Sequence, residues 1–416
     1  MWGFVGSPDR FALAARRTLC CHFIMQVVRP RWRAVVGALG LYVLGCGSGA
    51  SHGSTTPAGG LGGSAASSGG NTAAGGADGG APAHVVGTCD KLGAVNQFEN
   101  ITPAGVSAAL RVVVDPVHSG TVFVGTDKTG IYKSTDCGAE WTKVNTGANA
   151  AVIDSGQQWS MEIDPAFPDV LYAGSLYGSD VSLFKSTNGG QDWTSLFPAG
   201  GNVATAVQYS FLQEVSIDPD KARHQHLVVS FHADCMGDFG KMCLGESTDG
   251  GQTWRLFKGP TAAWVENARP IVLGEKSFLY VTVEDGVFYT GDSGATWENV
   301  ASGGNHQVYV TSDGTHYLGS VYGMFQSPDG HTWTKLDASP DGDGMSGDGQ
   351  RVFTGLRDSG ADQQPYFTTP EQGGGTWTKF ASPPMANGPV TLRYDSDHHL
   401  LYSANTTSGL WRVVTQ

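Results

Sequence analysis

Four acidic residues, Asp127, Glu214, Asp234 and Glu266, fall in or beside connections rather than inside long apolar runs. A carboxylate in such a place can act as general acid, general base or nucleophile. Two of them facing one glycosidic bond would hydrolyse it, at about 5–5.5 Å apart with retention or about 6.5–9.5 Å with inversion. The sequence supplies the groups without pairing them. Among the same connections lie Trp159, Tyr177, His232, Trp264, Arg269, His306, Tyr322 and Arg357. Aromatic faces stack on sugar rings while polar side chains bond to hydroxyls, so this set points to a glycan or a protein segment as ligand. Taken singly, each is also what a solvated loop rim with a few core aromatics would show. Asp341-Gly342-Asp343-Gly344 opens like a calcium loop, but Met345 and Val352 stand where oxygen ligands belong, so the stretch reads as a turn. No metal and no other cofactor is expected, and no nucleophile elbow, phosphate loop or zinc spacing is present.

These residues are positioned by a repeat. Ser247, Asp249, Gly251, Thr253 and Trp254 define a unit that recurs at 134–141, 186–193, 290–297, 327–333 and 369–377. The 186–193 copy has Asn188 in the Asp place, the fifth copy is one residue short, and the sixth is one residue long with Glu371 for Asp. An Asp or Asn side chain accepts from nearby backbone N–H groups, and the following Gly supplies the positive φ such a turn needs. Thr and Trp then open a strand. Before each unit run three short strands, as in residues 111–114, 121–125 and 130–133, and Asp115-Pro116, Asp164-Pro165 and Asp218-Pro219 mark the first turn. Four strands per repeat is the pattern of a propeller blade.

Later repeats start near Pro270, Gln307, Met345 and Val390. The last stops after a third strand, where Gly409-Leu410-Trp411-Arg412 parallels Gly130-Ile131-Tyr132-Lys133. Residues 97–101 resemble the fourth strand at 296–300. The expected fold is therefore all-β, one seven-bladed β-propeller over residues 89–416, its ring closed by an N-terminal strand in the last blade.

The repeated unit resembles the Asp-box of bacterial-neuraminidase-repeat propellers, a group that includes sialidases, sortilin-type receptors and photosystem-assembly proteins. The resemblance rests on six copies and covers most of the chain after Cys89. It implies that the boxes lie on the rim away from the ligand, so Asp136, Asp249, Asp292 and Asp329 are turn residues, and ligands meet the opposite, loop face. Residues 125–132 are similar to the segment that carries a catalytic Asp, here Asp127, in xyloglucan-cleaving propeller hydrolases, which use two propellers. A sialidase would need an arginine triad; Arg269 and Arg357 lie in loops and Arg111 and Arg393 on inner strands, while Arg269-Pro270-Ile271 departs from the family's motif in order and position. The leading expectation is a binding module for a glycan or protein, with a glycoside hydrolase as the alternative.

The N-terminal part is built differently. Arg29, Arg31 and Arg33 precede an apolar run at 34–45, too short to cross a bilayer, which reads as an export signal. Met25 is a possible start. Val43-Leu44-Gly45-Cys46 resembles a bacterial lipobox, which implies acylation of Cys46 and a place on the outer membrane or cell surface. Residues 47–86, almost wholly Gly, Ala, Ser, Thr and Pro, bury too little apolar surface to order and read as a tether spanning roughly 35 Å. Signal and leash thus occupy 1–45 and 46–88. The formal charge of −13 becomes more negative when the six arginines of residues 1–45 leave, which disfavours nucleic acid as partner. Four cysteines remain: Cys235 and Cys243 flank one hairpin connection, and Cys89 pairs with Cys137 by elimination. A monomer is expected, with membrane contact through the lipid alone.

Overall fold

Ala109–Val114 reads Ala-Leu-Arg-Val-Val-Val and is buried along nearly its whole length, the mark of a strand covered on both faces. It is the inner strand of the first of seven four-stranded antiparallel sheets. The other inner strands are Met161–Ile163, Leu212–Ile217, Arg269–Val272, Val308–Val310, Gly344–Gly347 and Thr391–Asp395. The computed structural model describes residues 82–416, apart from 263–264, 266–267, 284, 305–306, 321, 358–362, 373–374 and 382. The expected signal, Cys46 and most of the tether lie outside the described residues. Val85–Val86, which composition places in the tether, pairs in parallel with His118–Ser119 instead, so ordered chain begins before Cys89.

In the seventh sheet Phe98–Asn100 pairs antiparallel with Leu410–Val414, Phe98 opposite Val413. The Phe98–Asn100 strand thus completes the last blade, and no sheet edge is left at the join. Arg412, 4% exposed, locks it: Nε donates to Glu99 Oε2 at 3.0 Å, Nη1 to Cys137 O at 2.6 Å, and Nη2 to Lys91 O. Disulfides join Cys89 to Cys137 and Cys235 to Cys243.

The core is divided. Seven buried clusters each straddle one pair of neighbouring blades. Between the first two blades, for example, Phe123 and Ile131 meet Met161, Phe184 and Trp193. A fully buried Phe contributes about 1.5–3 kcal/mol, so every blade interface matters to the ring as a whole.

The box turns follow one scheme. Ser247 Oγ accepts from Gly251 N at 2.8 Å, and Asp249 Oδ1 accepts from Thr253 N at 2.9 Å. Asp136, Asn188 and Asp292 repeat the second contact with the residue four places on. In the short copy Asp329 accepts from His331 N and Thr332 N instead. Trp193 and Trp254 close their own turns, each donating Nε1 to a box carbonyl. Glu371, in the long copy, is buried and accepts from Tyr309 OH and Gly349 N, both outside its own turn.

Candidate binding site on the loop face

Inner strands run from the loop face toward the Asp-box face, and alternate residues point into the central channel. Arg111 and Glu214 stand four places before Asp115 and Asp218, and Glu162 and Arg393 two places before Asp164 and Asp395, so all four share the channel-facing parity. With Arg269 they form a charged plug. Arg111 Nη2 meets Glu162 Oε1 and lies 3.3 Å from Glu214 Oε1; Arg393 Nη2 is 3.4 Å from Glu162 Oε1; Arg269 Nη1 pairs with Glu214 Oε2. Ser160 Oγ donates to Glu214 Oε1 at 2.8 Å.

Burial lowers the Arg269 pKa to about 10, Glu214 opposing the shift and the charges of Arg111 and Arg357 adding to it. For Arg111 the same desolvation is outweighed by Glu214 and Glu162, and the net direction is upward. Arg393 is lowered by burial, partly offset by Glu162. Glu162 and Glu214 contact one guanidinium nitrogen and so lie near each other; Glu162 Oε1 accepts from Arg111 and Glu214 Oε1 from Ser160, while Glu214 Oε2 faces Arg269 Nη1 as an ion pair only. The two carboxylates and three arginines thus form one ion-pair cluster.

Above the plug, on the loop face, is a cavity of about 210 Å³ lined by Gln157, Trp159, Tyr177, Gln213, His232 and Arg357, with Arg269 at its floor. Gln157 and Trp159 belong to a link between blades, Gln213 to the start of the inner strand Leu212–Ile217, and Tyr177, His232 and Arg357 to second-to-third-strand loops of three different blades. Their contacts are shared. His232 Nδ1 lies 2.6 Å from Gln213 Oε1, an acceptor, which puts the ring proton on Nδ1 and leaves Nε2 to accept from Tyr177 OH at 2.8 Å. Trp159 Nε1 donates to Gln157 Oε1 at 2.9 Å, and Gln157 Nε2 to Asp127 Oδ1 at 3.1 Å. Phe211 packs edge-on to both Tyr177 and His232. Tyr177 is half exposed and sits at φ 55°, a left-handed conformation that a non-glycine residue holds at a cost of about 1–3 kcal/mol. The same conformation recurs at Tyr209 and Ser210 in the next link.

Of the residues singled out from sequence, Trp159, Tyr177, His232, Arg269 and Arg357 thus share one cavity, and Asp127 touches it through Gln157. Glu214 lies in the plug beneath. Asp234 is on the exposed Cys235–Cys243 loop, 3.7 Å from Lys241 Nζ, and lines no part of the cavity. Tyr322 is exposed near Gly303, also apart from it. Trp264, Glu266 and His306 lie outside the described residues. Sequence reasoning passed over Glu162, Gln157 and Gln213. The signal for Glu162 was available: a charge in an apolar inner strand, in register with the others before the Asp-Pro turn. For the glutamines there was none. Among the described residues one group with metal-ligand spacing occurs, Cys89, Cys137 and His398, and there both sulfurs are taken by the disulfide.

Seven blades, box turns on one face and an irregular polar-aromatic mouth on the other define the class: a seven-bladed propeller of the Asp-box type. No family model matches the chain. A xyloglucanase from a Paenibacillus species is 26% identical over 220 residues, which is 52% of this chain and 17% of that protein. Among solved structures, the GH74 enzyme of Niastella koreensis superposes with a TM-score of 0.56 at 16% identity, over 76% of this chain and 53% of that one. YCF48 bound to D1 peptide superposes with a TM-score of 0.53 at 14% identity, over 79% and 99%. The chain therefore spans a small part of the curated xyloglucanase and about half of the GH74 enzyme.

Proposed function

We propose that this protein is a binding module that takes a glycan at its loop-face cavity. One observation carries the reading: Trp159, Tyr177, His232, Gln157, Gln213 and Arg357 converge from three blades on a single cavity, His232 already bonded to Tyr177 and Gln213, and Trp159 to Gln157. Such a mouth offers ring faces for stacking and amide and guanidinium donors for hydroxyls, in place before the ligand arrives. At about 210 Å³ it is smaller than the about 300–1,000 Å³ of drug-sized pockets, so it suits one sugar ring of a chain lying across the face. Its described lining holds no carboxylate, which favours binding over hydrolysis. The similarity to a protein named xyloglucanase supports a polysaccharide as ligand class. Export and a lipid leash at Cys46 complete the proposal; the two disulfides support an oxidising location.

The test is retention of the protein on immobilised polysaccharides, xyloglucan included, with released reducing ends assayed in the same samples. Retention without release, weakened at least tenfold by Tyr177→Ala and by Trp159→Ala, is expected. Release that disappears in Glu162→Gln or Glu214→Gln would make the protein a hydrolase and end the binding-only reading.

A further inference from the structure

A second cavity, of about 360 Å³, opens at the opposite end of the channel, toward the Asp-box face. Its walls are apolar, from Ile217, Ile271, Leu273, Val308 and Val310, and Val310, 47% exposed, stands at the mouth. Its inner end is the underside of the plug. There three guanidinium groups, Arg111, Arg269 and Arg393, face two carboxylates, Glu162 and Glu214. Around them Arg357 and Asp343 add one charge of each sign. One positive charge is left over in a site largely shielded from water.

The donors are also under-used. Arg269 is 5% exposed and lines both cavities, yet its Nε has no acceptor among the described residues. Its Nη1 meets Glu214 Oε2 as an ion pair without the angle of a hydrogen bond. A buried donor without an acceptor is costly and rare enough to need a cause.

We propose that this end of the channel binds a carboxylate carried on an apolar chain, the carboxylate against the arginines and the chain along the Ile217–Val310 side. Charge complementarity selects this ligand. A neutral apolar molecule would leave the surplus charge and the idle Arg269 donor unanswered, and a bare anion would leave the apolar walls wet. The site is distinct from the loop-face mouth, since the plug stands between them.

Octanoate is a suitable probe, with octan-1-ol lacking the charge and acetate lacking the chain. Titration calorimetry of the protein in carboxylate-free buffer is expected to show one octanoate per chain and binding of the other two at least tenfold weaker. Val310→Glu, a change at an exposed position, should weaken octanoate by more than tenfold, as should Arg393→Leu. Tyr177→Ala at the far face should leave it unchanged. The proposal fails if octanoate gives no binding, if octan-1-ol matches it, or if Val310→Glu binds as tightly as the unaltered protein. Because Val310→Glu spares the plug, the test survives a failure of Arg393→Leu to fold.

Discussion

On the Asp-box face Asp249 accepts from Thr253 N and Thr253 Oγ1, both four residues away. On the loop face His232 bonds to Gln213, nineteen residues back, and to Tyr177, fifty-five back. Outside the Glu371 copy, the first face satisfies the box side chains within their own turns, so the sequence shows the unit openly. The second satisfies its polar groups across blades, so no short stretch announces it. On the Asp-box face, hydrogen bonds from Thr296 and then Thr290 favour the charged form of Asp292 and pull its pKa down to about 2. Repetition marks scaffold in this ring, and departure from repetition marks the mouth.

The plug between the faces should be the costliest place to break this arrangement. Glu214→Ala leaves Arg269 and Arg111 buried beside each other with half their counter-charge, a loss of about 3–5 kcal/mol. A denaturant midpoint unchanged from the unaltered protein would show that the plug is dispensable. Next comes closure: Cys89→Ser frees a 48-residue span and should remove about 2–4 kcal/mol, more than Cys235→Ser, whose span is 8. Equal losses would mean that Arg412 and the Phe98–Asn100 strand close the ring without help. Below these stands Gly251→Ala. Gly251 has φ 89°, and an added Cβ would meet Leu196 Cδ1 of the neighbouring blade at 2.5 Å. We expect about 1–3 kcal/mol from the melting curve, with ligand retention intact. Lost retention in a folded Gly251→Ala protein would erase the division between the faces.

The scaffold was legible because turn chemistry is local. Ser, Asp, Gly and Trp at fixed spacing specify a turn wherever they occur, and blade number and the borrowed Phe98–Asn100 strand follow by counting. The mouth was legible only in part. Trp159, Tyr177, His232, Arg269 and Arg357 stood out as large or charged residues in long connections, but their convergence depends on ring geometry. Glu371 misled in a similar way: it keeps the box position, two residues after Thr369, but bonds to Tyr309 of the preceding blade. Glu162 and Glu214 show the same limit from the other side. Sequence singles out Glu214 and passes over Glu162; only the ring shows that arginines from three blades surround them.

The smallest expected effect tests whether the Asp-box face is as passive as its turns suggest. His226 is buried there between Asp218 Oδ2 at 3.4 Å and Glu246 Oε1 at 3.1 Å, and these carboxylates also hold Arg223 and Arg255. Burial alone would lower the His226 pKa; hydrogen bonds and charge from Glu246 and Asp218 outweigh it and raise it above 6.5. For Asp218 and Glu246 burial pushes upward, and their arginine and histidine partners turn the net shift downward. The raised histidine therefore contributes stability that is complete below about pH 6.5 and is lost as pH climbs through the folded-state value. The two lowered carboxylates contribute stability that is present above their ordinary range and lost as pH falls through their folded-state values. His226→Gln should then cost most near pH 6, where all three groups are charged, and progressively less toward about pH 9, as urea midpoints across that range would show. A cost that stays constant with pH would mean that His226 is held neutral, and that this face answers pH no more than its box turns do.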